Sequence, residues 1–258
     1  MELDIQGKNA LVTAASYGLG YAAARALLKA GCNVVLNSRS MENLKKAAAD
    51  LADEPVLISA DLSKPEDRLR LIAESEAAVG AIDILVVSTA HPPTMPFSRA
   101  TDSDWELGYQ LLMRAPIELS RAVISNMRKN KYGRLIYIGS IFGLEAEASS
   151  VVQSTFRAGL NNLAKCIAVE EAPNGITANV ICPGYFDTPL VRTLAKQYAT
   201  ETSKDLDSVL AEWKSFSPMN KFGHPDDIGA FITYLCSSHG QFFSGSAVHI
   251  DGAAIKSV

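Results

Sequence analysis

The chain has 258 residues, 48% hydrophobic and 20% charged, a balance that supplies a sizeable apolar core and excludes a low-complexity chain. Lysine and arginine total 24 against 28 acids, a net charge of −4, so no basic footprint for nucleic acid or anionic lipid is present. No apolar run reaches the length of a membrane span. Met1-Glu2-Leu3-Asp4 lacks the basic and apolar regions of a signal peptide, so a cytoplasmic location is expected.

Strand-like apolar runs alternate with helical patterns from the start. Residues 9–13 read as a strand and 18–30 as a helix closed by Gly31. Strand 33–37, helix 41–51, strand 55–59, helix 65–79 and strand 82–87 follow. A long helical region over 102–130 carries Pro116, where a kink is expected. Then come strand 134–138, helix 152–171 and strand 176–181. Polar helices are expected within 188–222, then a helix over 226–237 and a last strand over 246–250.

Short Val-, Ile- and Leu-rich strands alternating with helices imply parallel strands covered on both faces. The expected fold is α/β, a Rossmann-type doubly wound, mostly parallel seven-stranded sheet with helices on both faces. One domain over residues 1–258 is expected, with a small substrate lid at about 186–216. Cys32, Cys166, Cys182 and Cys236 are far apart in apolar stretches and are expected to be buried free thiols. The four histidines are also dispersed, so no metal site is expected.

Chemistry enters at Thr13-Ala14-Ala15-Ser16-Tyr17-Gly18-Leu19-Gly20, between the first strand and first helix. Glycines at such a turn let backbone approach a pyrophosphate, and the helix N-terminus offers free N–H donors. The pattern resembles the Thr-Gly-x-x-x-Gly-x-Gly loop of the short-chain dehydrogenase/reductase family. Ala14 replaces the first glycine, a mild change for a backbone at negative φ. Other family marks fall in order: Asp61-Leu62, Asn179, Pro183-Gly184 through Thr188, Gly223 to Ile228, Ser244-Gly245 and Asp251-Gly252. The resemblance runs from about residue 5 to 253.

The resemblance implies cofactor contacts from Thr13, Ser16, Gly18, Leu19, Gly20, Asp61, Leu62, Pro183, Gly184 and Thr188. Cofactor choice is read at the end of the second strand, where an acid binds the ribose of NAD. Asn37-Ser38-Arg39 has no acid there, and Ser38 and Arg39 suit a 2′-phosphate, so NADP(H) is favoured over NAD(H).

The resemblance breaks at the catalytic residues. Family catalysis uses Ser, then Tyr thirteen residues later, then Lys four further on. Ser140 is present, but the count reaches Gln153 and Arg157. The strand-four mark reads Val87-Ser88-Thr89-Ala90, and the water-holding Asn is Leu112. Gln153 can hydrogen-bond a carbonyl or hydroxyl but gives up no proton near neutrality. Arg157 stays charged and can hold ribose hydroxyls or an anionic substrate. A substitute acid/base is sought in Tyr185 first and His91 second. Tyr137 is expected to face away from Ser140.

The leading function is an NAD(P)-dependent oxidoreductase acting on a carbonyl or secondary alcohol. Two alternatives stay open: a dinucleotide-binding sensor or inactive subunit, and a non-redox enzyme reusing the pocket. The retained glycine loop argues against the last. The substrate is expected to be a small molecule. The long helices 102–130 and 152–171 and the C-terminal strand imply, through the resemblance, a homo-oligomer, a tetramer or dimer.

Overall fold

The structure, a computed structural model, describes residues 2–51 and 53–257. Its strands are β1 (Asn9–Val12), β2 (Asn33–Ser38), β3 (Val56–Ser59), β4 (Ile84–Val87), β5 (Gly133–Ile138), β6 (Ile176–Pro183) and β7 (Ala247–Ile250). They form one sheet in the order β3-β2-β1-β4-β5-β6-β7. Every neighbouring pair is parallel.

The helices are α1 (Gly18–Lys29), α2 (Met41–Ala49), α3 (Pro65–Val79), α4 (Asp102–Tyr109), α5 (Ala115–Asn130), α6 (Val151–Glu171), α7 (Pro189–Thr202), α8 (Leu206–Ser215) and α9 (Pro225–Cys236). Both sheet faces are apolar because successive strand side chains point to opposite sides. Leu11, Val35, Leu85, Leu135 and Val180 join Leu71 of α3, Leu119 of α5 and Leu160 of α6 in one core. Ala10, Val12, Leu36, Ile84, Val86 and Ile181 join Leu27 of α1 and Ile232 of α9 in the other. Burying one such side chain contributes roughly 1.5–3 kcal/mol, so this two-sided pattern holds the sheet between its helices.

The long helix breaks earlier than Pro116 and in a different way. Residues Gln110–Arg114 form a π-type turn, and α5 restarts with Pro116 in its first turn. Proline has no N–H to give to the preceding turn, and the wider π turn takes up the mismatch. Leu111 and Leu112 are buried at this turn. Buried Arg68 ties the same region to the β3–α3 loop. Its guanidinium donates to Glu118 Oε2 at 2.6 Å, Leu62 O at 2.7 Å and Gln110 Oε1 at 3.2 Å.

Tyr137 is fully buried, its hydroxyl 2.7 Å from Ser120 Oγ of α5, and it does not line the cleft described below. Cys32, Cys182 and Cys236 are buried free thiols, but Cys166 is exposed. The buried stripe of α6 runs through Leu160, Ala164 and Ala168, which puts Cys166 on the outer side. Among the described residues no helix is long and apolar enough to cross a membrane.

The strand order turns at β1 and β4. The chain leaves β1 toward β2 and β3 on one side and returns to β4, β5 and β6 on the other. The loops above the carboxyl ends of β1 and β4 therefore part, and a crevice opens between them.

Phe242 before β7 stands fully exposed, and Leu107, Tyr109 and Val169 are exposed on α4, the π turn's edge and α6. We propose that these surfaces carry self-association. Light scattering is expected to give a multiple of the 27.6 kDa chain mass at micromolar concentration, and a monomer ends the proposal.

Candidate functional site

A cleft of about 750 Å³ opens over the carboxyl ends of the strands. Its walls are the glycine loop with the start of α1, the ends of β2 and β3, the loops after β4 and β5, and residues within 183–194.

The glycine loop is shaped by close approach. A Cβ on Gly20 would lie 2.6 Å from the Ala14 carbonyl oxygen, and Gly18 sits at φ +66°. α1 begins without a side-chain cap and has no acid in its first turn, whereas Ser40, Thr188 and Asp205 cap α2, α7 and α8. Uncapped N–H donors above a cleft suit an anion such as a pyrophosphate. Ala14 does not keep the negative φ expected of it. It sits at φ +47°, in the left-handed region that favours glycine, so the missing glycine is replaced at a cost in strain.

Ser16, Leu19, Ser38, Arg39, Asp61, Leu62, Pro183, Gly184 and Thr188 also line the cleft. Thr13 does not. Its buried hydroxyl donates to Ser88 O at 2.5 Å and accepts from Ser88 N at 3.0 Å, so it pins the glycine loop to the loop after β4. Arg39 is exposed at the cleft edge and has no carboxylate partner among the described residues. Asp61 Oδ1 accepts from Ser63 N and Oγ, which shapes its loop. Asn179 links β6 to the strand-seven side through Phe243 O and Ser246 N.

Ser140, Gln153, Arg157, Tyr185 and His91 all line the same cleft, though they come from different elements. Ser140 Oγ accepts from Phe142 N at 3.2 Å, leaving its own proton free to donate. Arg157 is buried. Its Nη1 donates to Ile138 O at 3.1 Å and Gly139 O at 2.6 Å, and its buried Nε has no partner. Burial brings its pKa down to about 10, so it remains a cation at neutral pH.

Gln153 is buried and points at the loop after β4. Its Nε2 lies 2.9 Å from His91 Nε2, 3.3 Å from Thr94 Oγ1 and 3.4 Å from Pro92 O. Burial, aided by the charge of Arg157, lowers the His91 pKa to about 4. Tyr185 is packed among aromatic rings at the cleft wall. Its ring stacks on Trp213 of α8 at 5.2 Å and meets Phe216 edge-on at 5.7 Å. Burial, with Glu147 and Glu212 nearby, raises its pKa, which makes the phenolate still less accessible.

Sequence reasoning passed over Thr94, and it also missed Asn43, Phe142, Leu190, Val191 and Leu194 as cleft residues. The apolar spacing of Leu190, Val191 and Leu194 on one helix face was the available signal. Thr94 carries no signal of its own, because its role depends on how the His91 loop folds back.

A doubly wound parallel sheet with an uncapped glycine-loop helix over its switch point defines a Rossmann-type dinucleotide-binding protein. The family model described as enoyl-(acyl carrier protein) reductase matches residues 13–253, and the chain belongs to this short-chain dehydrogenase/reductase family. It is 27% identical over 256 residues to the 3-oxoacyl-[acyl-carrier-protein] reductase FabG of Aquifex aeolicus, covering 98% of this chain and 99% of that one. It is 31% identical over 251 residues to Nodulation protein G of Azospirillum brasilense, covering 95% and 97%. The crystal structure of L-sorbose reductase from Gluconobacter frateurii complexed with NADPH and L-sorbose superposes with a TM-score of 0.94 at 26% identity, covering 100% of both chains.

Two consequences can be measured. Replacing Ala14 by Gly relieves a left-handed alanine worth about 1–2 kcal/mol, offset by about 0.4–1 kcal/mol of unfolded-chain entropy. Urea denaturation is expected to show A14G more stable by roughly 0.5–1 kcal/mol. The second concerns pH. The folded protein keeps His91 neutral down to about 4, while the unfolded chain protonates it near 6.5. Unfolding therefore takes up a proton in this window, and stability falls as pH drops from 6.5 toward 4. The contribution is on the order of 3 kcal/mol, and His91→Gln is expected to flatten the pH dependence of Tm across that range.

Proposed function

We propose that this chain is an NADP(H)-dependent oxidoreductase that interconverts a carbonyl and a secondary alcohol, with a non-standard catalytic set. The carrying observation is one continuous cleft joining Arg39, without a carboxylate partner, to Ser140, Gln153 and Arg157 through the glycine loop. The names of the relatives support reduction of a carbonyl, and the NADPH of the superposed sorbose reductase supports the cofactor.

In this reading Gly18, Leu19 and Gly20 take the pyrophosphate, and Ser38 with Arg39 takes the 2′-phosphate. Asp61 and Leu62 flank the adenine, while Pro183, Gly184 and Thr188 flank the nicotinamide. NADPH supplies a hydride when bound. Arg157, fixed by the Ile138 and Gly139 carbonyls, holds positive charge beside the ribose and the reacting oxygen. Ser140 donates a hydrogen bond to the substrate oxygen. Gln153 stands where the family has its catalytic Tyr and Arg157 where it has its Lys, which supports reading the chain as a branch lacking that pair. Tyr185 anchors helix α8 over the substrate end, so residues 186–216 act as a lid. Leu190, Val191 and Leu194 give that lid an apolar underside.

Fluorescence titration tests the cofactor assignment. The wild-type chain is expected to bind NADPH more tightly than NADH. A charge-assisted contact of about 1.5–3 kcal/mol corresponds to about 10- to 100-fold in Kd. Arg39→Asp is expected to lose that factor for NADPH and to reverse the preference. Equal affinities for both cofactors before and after the change sink the assignment, and a carbonyl panel with NADPH then tests turnover.

A further inference from the structure

The buried cluster at Gln153 determines how the neighbouring histidine is protonated. Gln153 Nε2 is 3.4 Å from the Pro92 carbonyl, which can only accept, so the amide is turned with its nitrogen toward this loop. The same nitrogen lies 2.9 Å from His91 Nε2 and therefore donates to it. The Thr94 hydroxyl, 3.1 Å from His91 Nε2 and 3.3 Å from Gln153 Nε2, accepts from the amide and is free to turn its own proton toward the same ring nitrogen. A ring nitrogen that receives hydrogen bonds carries no proton, so the proton of neutral His91 sits on Nδ1. No described residue pairs with Nδ1, and His91 lines the same cleft as Ser140 and Arg157.

Both of these cleft residues have donor protons to offer. Ser140 has a free hydroxyl proton, Arg157 is a cation whose hydrogen-bond partners are two backbone carbonyls, and no carboxylate pairs with it. Donors with no carboxylate paired to them match an oxygen that gains negative charge. We propose that His91 is a catalytic hydrogen-bond donor, a neutral imidazole whose Nδ1–H stabilises the substrate oxygen while Gln153 and Thr94 position it. Its use in catalysis rests on the oxidoreductase reading above. Burial and the Arg157 charge, which bring the imidazole pKa down to about 4, keep it neutral at pH 7.

The chemistry balances without an acidic side chain. As hydride reaches the carbonyl carbon, the C=O π pair moves onto oxygen. Nδ1–H and the Arg157 cation hold the alkoxide. Water then supplies the proton, so carbonyl, NADPH and water become alcohol, NADP⁺ and hydroxide. The imidazole keeps its own proton throughout, because losing it would leave an imidazolate.

The test uses the full chain labelled with ¹⁵N-histidine, at pH 7 with NADPH. The His91 nitrogen shifts are expected to show Nδ1 protonated and Nε2 bare. Gln153→Glu turns the donor into an acceptor and is expected to move the proton to Nε2. His91→Phe is expected to keep the NADPH Kd, which reports a folded cofactor site, and to lower kcat by about 100-fold or more, the usual loss for one oxyanion donor. An active chain with the wild-type proton on Nε2, a charged His91 at pH 7, or an unchanged kcat in His91→Phe overturns the proposal. A wild-type chain that binds NADPH yet turns over no carbonyl overturns the oxidoreductase reading instead, and the catalytic use of His91 with it.

Discussion

Everything about this site depends on where β1 and β4 part. The two strands pair side by side, but their following loops lead to opposite halves of the sheet. The Thr13 hydroxyl, bonded both ways to the Ser88 backbone, fastens those two loops at the point of divergence. One wall of the crevice is then the start of α1, and the other is the His91 loop. Ala15 N–H, donated to the Asn37 carbonyl of β2 at 2.8 Å, holds the glycine loop from its other side.

The cofactor half and the substrate half of the cleft are built by different physics. The cofactor half is backbone: uncapped N–H groups of α1, a left-handed Gly18, and a Gly20 with no room for a side chain. Ala14 shows how strict that geometry is, since the chain bears a left-handed alanine to preserve it. The substrate half is made of side chains held by burial. Arg157 is fixed by carbonyls at the end of β5, and Gln153 is fixed by the loop after β4. With Gln153 and Arg157 at the positions of the family's Tyr and Lys, the proposed chemistry rests on a preorganised set of donors.

Helices α7 and α8 add a third layer. Tyr185, Trp213, Tyr198 and Phe216 form a run of ring contacts that ties the loop after β6 to these helices. Ala195, Ala199 and Val209 give the pair a small apolar core of its own, separate from the two cores on the sheet. An element packed mainly on itself can shift relative to the sheet at modest cost.

The α/β alternation, the glycine loop, Arg39 and the replacement of Tyr and Lys by Gln153 and Arg157 were all legible in the sequence. Strand and helix periodicities are local, and the family spacing locates each motif along the chain. The tertiary structure decided what those residues touch. The left-handed backbone of Ala14, the buried hydroxyl of Thr13, the stacking of Tyr185 on Trp213 and the π turn before Pro116 depend on contacts that spacing does not encode. So does the meeting of Gln153 with His91 and Thr94, about sixty residues apart in the chain. Residues that far apart meet only when the sheet brings the loop after β4 and the start of α6 to one end of the crevice. A local pattern in the sequence sets each element, and the packing of elements sets each proton's place.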